Sequence, residues 1–168
     1  MLSKIDTTKI IRDHIATLRD DATGKGMLSD YVLFFGTPLI PAIVLTFPIR
    51  LVLDLGAITV LVTSLSIFAA LLFNLLLLIY DVVTKEERQI EDAPHSKAEF
   101  LRQIYSNVSF SILVSIMAVI VLLLSYFVSL ESNFRLFLNA AAIYLLALFL
   151  LTLLMVLKRV HILLSKEF

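Results

Sequence analysis

The sequence predicts an all-α polytopic membrane protein, with four transmembrane helices in two antiparallel hairpins and both termini in the cytoplasm. Three observations carry that prediction. Four uncharged apolar stretches, of 19, 26, 28 and 22 residues, divide the chain. Hydrophobic residues make up 60% of it and charged residues 17%, whereas soluble domains average about 45–50% and 25%. Twelve of the fourteen Lys and Arg residues fall on one set of tails and links, and cytoplasmic segments are the ones rich in such residues.

A bilayer core about 30 Å thick takes roughly 20 helical residues. Tyr31–Ile49 just meets that length, and Leu136–Leu157 fits it. Leu55–Tyr80 and Gln103–Leu130 exceed it and are expected to tilt or to project as helix. The chain then divides into a cytoplasmic amphipathic N-terminal helix (1–30), a first transmembrane hairpin (31–80) and a cytoplasmic helical link (81–104). A second hairpin (105–157) and a cytoplasmic tail (158–168) complete it. The first thirty residues are polar and mixed in charge. They lack the apolar core of a secretory signal, so the first span is expected to be retained.

Within the N-terminal piece, Ser3 and Asp6 have capping-box-like spacing, and Ile11, Ile15, Leu18 and Ala22 recur at helical spacing. Gly24 and Gly26 are expected to end this helix. Two readings stand: a helix lying on lipid headgroups, or a docking helix for a soluble partner or a neighbouring copy. Ile11, Ile15 and Leu18 are the candidate docking residues. In the middle link, 85–90 extends the second span, Pro94 breaks the helix, and Ser96 and Glu99 are spaced as the capping box of the next. The tail continues the fourth helix. Its Lys158 and Arg159 are expected to face lipid headgroups. In the first span, Gly36, Pro38 and Pro41 are hinge candidates, or a bend that fits the helix around its neighbours.

No Asp, Glu, Lys or Arg lies well inside any span. Proton-coupled carriers need such residues or an intramembrane His, and the central Glu of small multidrug exporters is missing. With no Cys, quinone-linked disulfide chemistry and thiolate metal sites are excluded. His14, His95 and His161 are scattered over three cytoplasmic pieces, without metal-ligand spacing, and each reads as solvated. No catalytic residue, metal, cofactor or nucleic-acid site is expected.

What remains inside the spans is small and neutral. In the second span Thr59, Thr63, Ser66, Ala70 and Asn74 form one stripe, and in the third Ser111, Ser115, Ala118, Ser125 and Ser129 form another. Small residues let helices approach closely in lipid, so both stripes are expected to face protein. They read as helix-packing seams. Alternatively, one packs the monomer and the other lines a pore or a subunit contact. A neutral Ser-rich wall suits a poorly selective conduit. Asn74 stands out as a buried amide that needs partners.

Two hairpins, cytoplasmic ends, no intramembrane charge and an ending such as Leu150-Leu-Thr-Leu-Leu-Met-Val-Leu-Lys-Arg159 resemble the small membrane subunits of bacterial phage-defence systems. The Kiwa membrane subunit and the Rex exclusion B protein of phage lambda have this outline. The likeness is one of layout over most of the chain, and no residue role comes with it. It implies an oligomeric inner-membrane protein that senses infection or perturbs membrane integrity, together with a soluble cytoplasmic partner. Two other readings remain open: a non-conducting anchor or scaffold for a soluble enzyme, and a small neutral-solute transporter.

Overall fold

A computed structural model describes residues 7–18, 28–89, 95–128 and 133–165. The described chain is helical, in the order α1 (Thr8–Ala16), α2 (Leu28–Gly36), α3 (Leu39–Thr46), α4 (Leu55–Gln89), α5 (His95–Phe127) and α6 (Asn133–Ser165). Three helices are long and apolar enough to cross a membrane: Leu55–Val82 of α4, Leu101–Phe127 of α5 and Asn133–Ile162 of α6. The second span extends as helix to Gln89, and the fourth continues to Ser165. The expected stops at Gly24 and Gly26, the break at Pro94, the caps at Ser3 and Asp6, and Ser129 lie outside the described residues.

The first expected span is short and interrupted. Its apolar helical part, Tyr31–Thr46, is split between α2 and α3 at Thr37–Pro38. The Thr37 N–H still donates to the Leu33 carbonyl at 3.0 Å. Beyond it, Pro38 and Pro41 have no N–H to give. The Thr37 carbonyl instead accepts the Ile40 N–H, a tighter turn. Of the three hinge candidates, Gly36 ends α2, Pro38 lies in the break, and Pro41 is inside α3. A Cβ at Gly36 would meet only Val32 Cγ1, at 3.8 Å, with no special φ required. Gly36→Ala is therefore expected to keep the fold and gain up to about 1 kcal/mol. An unchanged or raised Tm in detergent agrees with this, and a fall refutes it.

α5 is the centre of the packing, with α4 on one side and α6 on another. Its residues Ile104, Val108, Ser111, Ser115, Ala118, Leu122 and Ser125 step by four and three, and all are buried. Ser111, Ser115, Ala118 and Ser125 of the third-span stripe are among them. α4 brings Ile58, Leu65, Leu72 and Ile79, spaced by seven and all buried. Lipid tails are as apolar as Leu, so close contact rather than water exclusion holds such helices together.

Within the single chain, the second-span stripe does not form a packing seam. Thr59, Thr63, Ser66, Ala70 and Asn74 are all exposed. At 100° per residue they lie roughly 100–200° around α4 from the Ile58–Ile79 ridge. The face that α4 buries within the chain is the bulky Ile58–Ile79 ridge. Only 17% of the α4 span is buried, against 44% in α5 and 33% in α6.

The first expected hairpin also differs. α3 packs on α6, and among the described residues α3 and α4 are not a packed pair. Their link is held from elsewhere. The Arg135 guanidinium, at the start of α6, donates to the Leu53 carbonyl at 2.8 Å and to the Val128 carbonyl at 2.9 Å. Asp54 then caps α4 by accepting the Ala57 N–H at 2.7 Å.

Candidate functional site

α1 is amphipathic, and the face it buries was not the one expected. Ile10 and His14 lie one turn apart on one side of the helix, and Leu18 follows four residues later, just past its end. His14 is fully buried, and Ile10 and Leu18 pack against the core. Of the docking candidates, Ile11 is exposed, Ile15 is half-buried and Leu18 turns inward. α1 itself packs on α5. His14 is therefore buried in the bundle, against the expectation of a solvated residue.

The His14 ring stacks on Phe110 of α5, with centroids 3.8 Å apart and planes 4° from parallel. Phe34 of α2 closes another side, at 5.2 Å and a tilt of 53°. His14 Nδ1 lies 2.8 Å from Asn107 Oδ1, the geometry of a donor Nδ1–H. Thr17 Oγ1 is 2.8 Å from the same oxygen and 2.7 Å from the His14 carbonyl, and its single hydrogen serves one of the two. His14 Nε2 and Asn107 Nδ2 are buried without a partner among the described residues.

Arg159 of α6 completes the cluster. Its guanidinium donates to Gln103 Oε1 at 2.6 Å and to the Thr17 carbonyl at 2.7 Å. The Thr17 carbonyl sits at the end of α1, where a cation also meets the negative pole of the helix dipole. Arg159 thus turns inward, contrary to the lipid-facing role expected of it. Lys158 is exposed and keeps that option.

Burial lowers the His14 pKa from 6.5 to about 4; the charge of Arg159 pushes the same way, and the hydrogen bond to Asn107 opposes both. At neutral pH the imidazole is uncharged. The cluster has no nucleophile beside a base, and no group of metal-ligating side chains occurs among the described residues. Its chemistry is that of a latch: a neutral ring inserted between aromatics, and an arginine holding the helix end.

Two hydroxyls of the α5 stripe are satisfied within their own helix. Ser111 Oγ donates to the Asn107 carbonyl at 2.9 Å, and Ser115 Oγ to the Ile112 carbonyl at 2.7 Å. Ser125 Oγ donates to Asn139 Oδ1 of α6 at 3.2 Å. On the exposed stripe of α4, Thr59, Thr63 and Ser66 donate to the carbonyls of Leu55, Thr59 and Val62, all within 2.9 Å. Asn74, on the same stripe, is exposed.

The docked histidine was missed because its partner Asn107 is 93 residues away in sequence. The available signal was its register with Ile10 and Leu18. Compared with protein-family models, curated proteins and solved structures, the chain finds no match.

Proposed function

We propose that this chain is a non-catalytic, multi-pass subunit of a bacterial phage-defence system, seated in the inner membrane with both termini in the cytoplasm. It assembles with copies of itself through the exposed face of α4. With a soluble cytoplasmic partner, it senses infection or alters membrane integrity.

The observation that carries the assembly is Asn74. It lies six residues before Tyr80, about 9 Å inside the expected span end, and it is exposed on the least buried span. An amide facing lipid lacks partners, and an interhelical hydrogen bond between copies supplies them. The small residues beside it permit the close approach. The defence role rests on the resemblance in layout, and the orientation rests on the placement of Lys and Arg.

A second reading, a non-conducting anchor, is favoured by a different observation. The α4 hydroxyls are already bonded to their own helix, which leaves few groups to replace the hydration shell of an ion.

The test is membrane potential, read with a voltage-sensitive dye in cells producing the protein or its Asn74→Leu variant, alongside oligomer size in detergent. Loss of the amide is expected to weaken association by ~0.6–2 kcal/mol, roughly 3- to 30-fold, and to reduce depolarisation with it. A steady potential with intact oligomers selects the anchor. Unchanged association in Asn74→Leu refutes the α4 interface.

A further inference from the structure

A cavity of about 630 Å³ lies beside α1. Its origin is topological. α1 and α4 each pack on α5, but among the described residues they do not pack on each other. The gap between them is floored by α5. Lys9 and Asp13 line it from α1, Arg102 and Ser106 from α5, and Phe73 and Leu76 from α4.

The lining changes character along its length. Leu76 and Phe73 precede the expected span end at Tyr80 by four and seven residues, roughly 6 and 10 Å by helical rise. Phe73 is half exposed on the outer surface of the bundle. Lys9 and Arg102 stand at the polar end, on elements outside or at the edge of the apolar spans. The groove therefore runs from headgroup level into acyl-chain depth. Two cations face one carboxylate, so the lining carries a net positive charge.

Ser106 supplies an independent observation. It is more than nine-tenths buried at the wall of this cavity, and its hydroxyl has no partner among the described residues. Neighbouring serines of α5 behave differently. Ser109 and Ser111 donate to the carbonyls of Tyr105 and Asn107, at 2.8 and 2.9 Å. An unbonded buried hydroxyl is costly, and a bound acceptor removes that cost.

We propose that this groove binds one anionic phospholipid from the leaflet on the α1 side. The phosphodiester sits between Lys9 and Arg102 and accepts the Ser106 hydroxyl, and an acyl chain lies along Phe73 and Leu76. A singly charged headgroup matches the net positive lining. A zwitterionic lipid brings an ammonium group to the same cations. A free phosphate fills only the polar end, and a soluble protein does not reach the apolar end. The site does not depend on the function proposed above.

The test is native mass spectrometry of the full chain in detergent, titrated with phosphatidylglycerol or phosphatidylcholine of the same acyl chains. One phosphatidylglycerol is expected to be retained roughly tenfold better than phosphatidylcholine. Lys9→Gln with Arg102→Gln should abolish the preference, and Ser106→Ala should weaken it. Asp13→Asn should strengthen retention by removing the opposing charge. Lys9, Asp13 and Arg102 are exposed, so these variants leave the bundle packing untouched. Equal retention of the two lipids overturns the proposal. So does a preference that survives the Lys9/Arg102 double change. Displacement of the lipid by millimolar inorganic phosphate marks a free-anion site and overturns it equally.

Discussion

Acidification from pH 7 to pH 4 is expected to loosen α1 from the bundle, and His14→Phe is expected to abolish that response. The direction follows from the depressed pKa. Undocked, His14 titrates near 6.5; docked, it titrates at about 4. Above pH 6.5 the ring is neutral in both states, and docking has its full strength. As the pH falls through 6.5 the undocked form takes up the proton first, so docking weakens. Below about pH 4 both forms are protonated and the loss stops growing. The total is about 3 kcal/mol, or roughly a 300-fold drop in the docking equilibrium.

Two neighbours modify this without reversing it. The stacked face of Phe110 attracts an imidazolium, but a cation over an aromatic ring gains only about 0.5–2 kcal/mol. The Asn107 oxygen also favours the charged ring. Burial and the Arg159 charge act against both. Hydrogen exchange of the α1 amides, corrected for intrinsic rates, reads the effect. Protection in the wild type should fall between pH 6.5 and 4, while His14→Phe keeps the ring stack and stays flat. Matching profiles for the two proteins eliminate His14 as the titrating group. Arg159→Gln is a useful third comparison. It removes a charge that lowers the pKa, so the onset of release should become shallower, even as α1 loses a bond to the Thr17 carbonyl.

How much of this was legible before the fold was known differs by residue. The long helices were, because a span needs only length and apolarity, and Leu55–Val82, Leu101–Phe127 and Asn133–Ile162 have both. The α5 seam was legible too. Ser111, Ser115 and Ala118 mark a narrow face among Leu, Ile and Val, and small residues have one strong use in lipid. The face that α4 packs within the chain was not legible, because the helix offers two faces at similar spacing. Ile58, Leu65, Leu72 and Ile79 do not stand out in a helix that is leucine-rich all round, while Thr59, Thr63 and Ser66 do. Which face packs depends on what the neighbour presents, and one helix alone does not contain that information. His14 and Arg159 were illegible for a related reason. Their contacts with Asn107 and Thr17 span 93 and 142 residues of sequence, and local patterns carry no trace of such pairings.

The contrast between the two stripes gives the other large effect. Ser115→Leu and Ser66→Leu make the same chemical change at opposite kinds of position. Ser115 is 1% exposed, on the seam where α5 is packed by its neighbours. A leucine there has no space, and overpacking a close-fitted site costs about 1–3 kcal/mol. The hydroxyl it replaces donated only to its own helix, so no interhelical bond is lost and the penalty is steric. The expected result is a lower Tm of the monomer in detergent, with helices pushed apart. Ser66 is exposed, and its hydroxyl also bonds within its own helix. Leucine at that site leaves the monomer fold unchanged. If α4 faces lipid, the added apolar surface is harmless and the oligomer size stays as it was. If α4 is the subunit contact, the same leucine blocks the approach of a second helix, and the protein becomes monomeric with its Tm intact. Thermal melting and light scattering on the two variants therefore separate packing from assembly. Loss of stability in Ser66→Leu, or its absence in Ser115→Leu, would overturn the assignment of the two faces.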